Sequence, residues 1–237
     1  MTYQKSLPHA PKTGPFPDFM LCRLDSYEEA RKHIFCQMVN KEKHRDTLKE
    51  RPYEEWQDLA ITYCCELGDD RSFGAAARMT YALMDQLGVP EEMLRADAWK
   101  NTLEREAVIR PLSHVLGEMG GSEFGESPLY LLSNREMVNG AIAAAYPDIC
   151  QKAEALFGRN FFLIPSSIHE FLLLPDDGDV DARMLDQMIA AINASHVRPQ
   201  EVLADHAYYY DGRTRTVSLA SQYQEKQKRC LVSEMML

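Results

Sequence analysis

The chain has 237 residues, 45% apolar and 26% charged, and its 36 acidic against 26 basic side chains leave a formal net charge of -10. Such a length and apolar share predict a globular protein with a real core, organised as one domain or two closely joined subdomains. The negative balance argues against general binding to nucleic acid or anionic membrane, both of which need basic surface to displace counterions, and leaves only a short local basic patch open to such a role.

No apolar run approaches the roughly 20 residues needed to cross a bilayer. Residues 1–17 lack the apolar core of a signal peptide, so a cytoplasmic protein is expected. Cys22, Cys36, Cys64, Cys65, Cys150 and Cys230 fit that compartment, forming no C-x-x-C pair, with no histidine at zinc-finger spacing. Buried, reduced thiols are expected, Cys64 and Cys65 facing opposite sides of a strand. No cofactor is expected.

In chain order, residues 1–18 carry Pro8, Pro11, Pro15 and Pro17 with few apolar anchors and read as an extended arm. A helix is predicted from near Asp25, where Ser26 and Glu29 stand at capping-box spacing and Tyr27, Ala30, Ile34, Met38 and Val39 recur on one face. Its polar end holds Lys41, Lys43, Arg45, Lys49 and Arg51. Cations favour the C-terminal end of a helix dipole, so a solvated helix end is preferred to a phosphate site, with Lys43 and Arg45 kept as candidate binding residues. Pro52 and Tyr53 break the helix, the run Leu59-Ala-Ile-Thr-Tyr-Cys-Cys reads as a strand, and Gly68, Asp69 and Asp70 make a turn. Residues 72–80 return as the antiparallel partner, although their alanines and Arg78 leave a helical alternative open. Met79 to Leu87 is helical, Gly88 ends it, and Pro90 starts a second helix from Glu91 to about Glu106.

After a short segment near Pro111 to Leu116, Gly117, Gly120, Gly121 and Gly125 mark a loop that lacks both Gly-Lys-Ser/Thr and G-x-G-x-x-G and is therefore no phosphate loop. Leu129 to Leu132 is a short strand, and Asn139 to Tyr146 and Asp148 to Phe157 are helical pieces separated at Pro147. Asn160 to Asp176 is read as the central hairpin: Phe161 to Ile164 and Phe171 to Leu174 flank Pro165, Ser166 and Ser167, and aromatic and β-branched residues suit a buried pleated surface. The acidic run Asp176, Asp177, Asp179 and Asp181 fails as a calcium loop, because Ala182 stands where Gly is needed and Met188 where a bidentate Glu is needed. It reads instead as the start of a helix presenting Met184, Leu185, Met188, Ile189 and Ile192. Ala207 to Tyr210 and Thr216 to Leu219 form a last hairpin, and the tail from Gln222 to Leu237 is weakly helical at best. The expected fold class is α+β: an antiparallel sheet built from hairpins with helices packed on one side. Residues 19–219 form one domain or subdomains 19–120 and 126–219, and residues 220–237 a tail.

Ser166, Ser167, His169 and Glu170 supply nucleophile, base and acid types and are the candidate catalytic residues of a hydrolase or transferase. Adjacency is not a triad, since residues this close along an extended segment do not converge on one point, and no G-x-S-x-G elbow is present. A turn stabilised by serine hydroxyls is preferred. Leu173 stands where the helical zinc-protease motif needs a second His, and His33, His44, His114, His196 and His206 form no H-x-H or H-x-x-x-H pair, so no metal is expected. Tyr208, Tyr209 and Tyr210 could stack on a base or sugar, but in an alternating strand such a run is expected to be half core and half surface.

Met38-Val-Asn-Lys-Glu-Lys-His, Pro52-Tyr with Trp56-x-Asp-Leu-Ala-Ile-Thr-Tyr, Pro128-Leu-Tyr-Leu-Leu-Ser-Asn with Asn139-Gly-Ala, Leu163-Ile-Pro-Ser-Ser-Ile-His-Glu, and Glu201-Val-Leu-Ala-Asp with Tyr208 follow one another in order. In that order and spacing they resemble the domain-of-unknown-function 5688 family of anaerobic gut bacteria, from about Phe19 to Leu219. The resemblance implies an intracellular α+β protein without an established activity, so it assigns no catalytic residue. Two departures stand out: the proline-bearing arm replaces an upstream segment of longer members, and His44 stands where Asn is expected.

Carboxylates and hydroxyls without a catalytic constellation lead to the expectation of a non-enzymatic protein that binds another macromolecule, most simply a protein partner, or regulates it. The surfaces expected to serve are the Ser166 to Glu170 turn or the strand edges. The alternatives are the serine-centred hydrolase or transferase, and an acidic inhibitor that mimics nucleic acid and blocks a defence or DNA-handling enzyme.

Overall fold

The structure is a computed structural model and describes residues 24–67, 76–118 and 127–235. The arm at 1–18, Cys22, the turn at Gly68 to Asp70, and Gly120, Gly121 and Gly125 lie outside those residues. The helix expected from Asp25 stops after one turn. Ser26 caps α1 (Tyr27–Ala30) by accepting the Glu29 backbone N–H, and the chain then enters strand β1 (Ile34–Asn40). Ile34, Phe35, Cys36, Met38 and Val39 are all buried, so both faces of β1 are covered. A short apolar run buried all round carries no alternation, and its spacing fits a helix as well as a strand. The basic stretch that follows is a turn and a second one-turn helix, α2 (Arg45–Leu48), rather than a long helix end.

Strand β2 (Tyr53–Trp56) turns at Gln57 and Asp58 into β3 (Leu59–Glu66), the spine of the first sheet. β1 runs along one edge of β3, from Ile34 opposite Cys65 to Asn40 opposite Leu59. The other edge is shared end to end by β2, with Tyr53 opposite Thr62, and by β4 (Ala76–Arg78), with Arg78 opposite Cys64. β4 thus returns antiparallel, as expected for that stretch. Helices α3 (Tyr81–Leu87) and α4 (Glu91–Leu103) follow, and α4 ends earlier than Glu106 because the chain re-enters a strand, β5 (Ala107–Pro111). Gly117, expected in a loop, lies in α5 (Leu112–Glu118).

The rest of the chain supplies β6 (Tyr130–Asn134), a 3-10 turn (Gly140–Ala145), α6 (Ile149–Phe157), β7 (Phe161–Ser167), β8 (Glu170–Pro175), α7 (Ala182–His196), β9 (Tyr208–Asp211), β10 (Thr216–Leu219) and α8 (Ala220–Met235). The second sheet has the order β10-β9-β7-β8-β6-β5, antiparallel throughout. The α+β class is as expected, with the antiparallel strands divided between two sheets. The β7–β8 hairpin lies at the middle of the larger one, and Phe161, Phe162, Leu163, Phe171 and Leu173 have no exposed surface.

Period-two alternation decides what each face of β7 meets. Phe161 and Leu163 enter the main core together with Ile34, Met38, Leu59, Ile61 and Tyr63 of the first sheet. Phe162 faces the other way, into a smaller cluster with Ile189, Ala207, Tyr209 and Ala220 under α7 and α8. This second cover corrects two expectations. All three tyrosines at 208–210 are buried, because both faces of their strand are roofed. The tail is a full helix from Ala220, because Tyr223 stacks on Tyr209 at 4.2 Å and Gln224 accepts the Ala182 N–H at 2.9 Å while donating to the Val180 carbonyl at 2.7 Å. Its Gln, Glu, Lys and Arg residues favour a helix, and these tertiary contacts fix where it docks. Asp181 caps α7 as expected, accepting the Arg183 and Met184 N–H groups, but the helix turns Ile189 inward and leaves Met184, Met188 and Ile192 exposed. Among the described residues, no helix is long and apolar enough to cross a membrane.

The two sheets are joined at the β2–β3 turn. Trp56 lies edge-on to Tyr208 at 5.3 Å and to Phe171 at 5.9 Å, and the Tyr208 hydroxyl donates to Asp58 Oδ1 at 2.6 Å. Gln57 Nε2 donates to the Val217 carbonyl at 3.0 Å, and Asn40 Nδ2 to the Leu203 carbonyl at 2.6 Å. His206 Nε2 lies 3.2 Å from Asp58 Oδ2. The hydrogen bond to Asp58 raises the His206 pKa above its ordinary value. Burial opposes ionisation of Asp58, but the bonds from His206 and Tyr208 outweigh it and hold that carboxyl below its ordinary value.

The His206 contribution is therefore complete below an unfolded pKa of about 6.5 and fades as pH rises through the higher folded value. The Asp58 contribution is complete above about 3.8 and fades as pH falls through its lower folded value. Asp58 is half exposed, so solvent screening limits the pair to about 0.5 kcal/mol. Replacing His206 with Gln should lower the melting temperature by about 1–2 °C near pH 5.5 and leave it unchanged near pH 9, read by thermal denaturation at the two pH values.

Candidate functional site

The turn between β7 and β8 contains the four residues with the most reactive side chains in the hairpin. Pro165 cannot donate to the ladder, and the register shifts between Pro165 and Ser167 as the strand bends. Ser166 Oγ and Ser167 Oγ both donate to Glu170 Oε1, at 2.9 and 3.1 Å, and Ser167 Oγ accepts the His169 backbone N–H at 3.1 Å. The His169 ring points elsewhere. Its Nδ1 accepts the Asn139 backbone N–H at 3.1 Å, and its Nε2 is 4.0 Å from Glu201 Oε1. An accepting Nδ1 assigns the neutral tautomer with the proton on Nε2, directed at a carboxylate. The turn thus brings both serines onto Glu170 and leaves His169 apart from them.

What His169 does face is set by Asn139 and Gly140, which precede the 3-10 turn. Asn139 adopts left-handed backbone (φ 52), a conformation Asn tolerates better than most residues. At Gly140 a Cβ would come within 2.1 Å of Ser133 Oγ, 2.6 Å of the Asn134 nitrogen and 2.7 Å of the His169 carbonyl oxygen. Only glycine lets the 3-10 turn close onto β6 and the β7–β8 turn, and Ser133 Oγ donates to that same carbonyl at 2.8 Å.

The first sheet meets this assembly through Gln37 of β1. Gln37 Nε2 donates to Asn139 Oδ1 at 2.8 Å, and the Cys64 thiol of β3 lies 3.5 Å from Gln37 Oε1. A chain of polar contacts therefore runs from Cys64 through Gln37 and Asn139 to His169 and across to Glu201, which pairs with Arg198 at 3.2 Å. Together with Arg78 and Ile168, these residues line a cleft of about 450 Å³ between the sheets. Cys65 faces the core and Cys64 the cleft, as the strand alternation predicts. Burial pushes the Cys64 thiol up to about 11 against the pull of Arg51 and Arg78. It is a protonated donor at neutral pH and not a nucleophile.

The remaining sequence candidates lie outside the cleft. Lys43 and Arg45 are exposed, and Arg45 pairs with Glu42 at 3.5 Å. Lys49 pairs with Asp46 at 2.7 Å, and Lys41 with Glu55. Lys41, Arg45 and Lys49 line a shallow groove of about 590 Å³ together with Glu42 and Asp58. Tyr208 and Tyr209 are buried with their hydroxyls on Asp58 and Asp176, each at 2.6 Å, and their rings lie against Trp56 and Phe162. Neither ring presents a free face to a base or sugar. Among the described residues, no three His, Cys, Asp or Glu side chains converge as metal ligands.

Of the residues that line the cleft, only His169 was a sequence candidate. Gln37, Cys64, Asn139, Arg198 and Glu201 come from segments with no common motif. The one available signal was Asn139-Gly140, a pair suited to left-handed backbone and close approach.

Gly140→Ala should destabilise the protein by about 3 kcal/mol in denaturant unfolding, since two of the three clashing atoms are backbone. Burial also raises Cys36 and Cys150 to about 12, whereas Cys230 is exposed. Iodoacetamide applied to the native protein near pH 8 should therefore label Cys230 and spare Cys36, Cys64 and Cys150, as read by peptide mass spectrometry.

No curated protein and no solved structure matches the chain. The model of a family of unknown function, DUF5688, matches residues 5–212, starting inside the proline-bearing arm. The chain belongs to that family.

Proposed function

We propose that this chain is a non-enzymatic protein that binds a protein partner and thereby regulates it, with the cleft between the two sheets receiving a segment of that partner. The observation that carries the proposal is the run of polar side chains from Cys64 through Gln37 and Asn139 to His169, which lines a recess open to solvent. A few convergent polar groups in a concave site fix the orientation of a ligand. The same geometry supports binding over hydrolysis: each serine hydroxyl is committed to Glu170, and the imidazole is committed to Asn139. The absence of a disulfide at Cys36, Cys64, Cys65, Cys150 and Cys230, among the described residues, is in keeping with work in the cytoplasm of a bacterium. Mimicry of nucleic acid receives less support, because carboxylates engaged in ion pairs are spread from Glu28 to Glu225 and not gathered on one stripe.

Ala76 lines the cleft, and Ala76→Trp would fill it. Affinity capture from the source cells should retain a protein on the wild type and lose it on Ala76→Trp, with equal melting temperatures confirming that both are folded. A monodisperse wild-type sample that retains nothing, or a partner held equally by the filled variant, would refute the proposal.

A further inference from the structure

Arg51 is 2% exposed, and its Nε and Nη1 make no hydrogen bond. Burying a guanidinium without a partner costs several kcal/mol, and its surroundings add to that cost instead of relieving it. The register explains why. The β2 pairing ends at Tyr53 opposite Thr62 and β4 takes over that edge with Arg78 opposite Cys64, so Arg51, two residues before Tyr53, lies at the junction of the two strands. The Tyr81 N–H donates to the Glu50 carbonyl at 2.9 Å and ties the two segments together. Two guanidiniums thus meet where β2 and β4 abut on one edge of β3: burial draws the Arg51 pKa down, Cys64 pulls the other way, and Arg78 adds to the lowering. His44 is held below its ordinary value by burial and then by the same two arginines.

No carboxylate answers this cluster among the described residues. The contrast with the rest of the surface is sharp, since Arg31, Lys41, Arg45, Lys49 and Arg105 are paired with Asp97, Glu55, Glu42, Asp46 and Glu66. A chain with ten more acidic than basic side chains has carboxylates to spare, and the described residues place none here. The neighbouring thiol is neutral and compensates nothing. Arg78 lines the cleft, so the cluster is reached from solvent through it.

We infer that Arg78 on the cleft wall and the buried Arg51 behind it form a binding site for an oxyanion, a phosphate or carboxylate group that completes the hydrogen bonding of both guanidiniums. Arg78 provides the accessible fork that captures the anion, and Arg51 the desolvated charge behind it. Planar guanidinium groups bind such oxygens through paired, charge-assisted hydrogen bonds. This inference deepens the proposed function and rests on it in one respect: the anion is a group that the partner carries into the cleft.

The test uses the full chain with inorganic phosphate and, separately, succinate, at ionic strength matched with chloride. One of the two should raise the melting temperature progressively with concentration beyond chloride, and the stronger response identifies the source of the group. Arg78→Gln should weaken that response about tenfold to a hundredfold, the size of one or two charge-assisted hydrogen bonds. Arg51→Met should abolish the response while melting no lower than the wild type without oxyanion, because an apolar side chain replaces an unpaired buried charge. If Arg51→Met fails to fold, Arg78→Gln on the exposed edge decides alone. Wild-type protein that responds to neither anion beyond chloride, or Arg78→Gln that responds like wild type, overturns the inference. A partner captured by wild type and lost by Ala76→Trp, with no anion response, sinks the oxyanion site and leaves the binding role standing. An anion response lost in Arg78→Gln, with no partner captured, sinks the binding role alone.

Discussion

The bond between the Tyr208 hydroxyl and Asp58, made under the indole of Trp56, is the contact on which the rest of the molecule depends. It fixes the β2–β3 turn of the smaller sheet against β9 of the larger one and so sets the distance between the sheets. Tyr208 is fully buried, and a buried hydroxyl needs a partner as much as the carboxylate benefits from a donor. The same device recurs. Tyr63 donates to Glu54, which also accepts the Trp99 indole N–H at 2.8 Å, and Tyr27 donates to Asp97 at 2.7 Å. Aromatic side chains fill the core, and their polar tips reach carboxylates at its rim. These carboxylates thus serve internal structure as well as surface charge.

With the sheet separation fixed, the cleft follows. On its far side, Gln37 and Asn139 bridge the gap by a single side-chain bond, and Gly140 permits the approach that puts Asn139 there. The hydroxyls of Ser166 and Ser167 brace the bend that carries His169, both donating to Glu170 while Ser167 also accepts the His169 N–H. A polar chain that spans two sheets is a stronger determinant of geometry than any one of its bonds, because loss of one member strands its neighbours.

The sequence made the central hairpin, the capped start of α7 and the strand around Cys64 legible, because each rests on local signals: paired apolar runs about a turn, a carboxylate before an apolar run, a largely apolar stretch bounded by a turn. It misled at β1, where burial on both faces erases the alternation that distinguishes strand from helix. At α8 the expectation of a weakly helical tail underrates Gln, Glu, Lys and Arg residues that favour a helix; what the sequence does not show is Tyr223 and Gln224 docking on distant residues. The cleft was the least legible. Its lining residues are brought together by the docking of two sheets, and only His169 stood in a segment that attracted notice on its own. Arg51 and Arg78 were visible merely as basic residues in polar or alanine-rich stretches. Their meeting requires knowing that β2 and β4 divide one strand edge between them.

The join between the sheets also orders events in time. Asp58 and Tyr208 are 150 positions apart, and Asn40 reaches the Leu203 carbonyl across 163. Closing so long a loop carries an entropic cost that nearby contacts do not share, and chains dominated by such pairings fold slowly. The amino-terminal sheet can pair within itself early, but the recess beside it has no second wall until the last third of the polypeptide has docked. A nascent chain on the ribosome therefore carries an incomplete recess until synthesis is nearly finished.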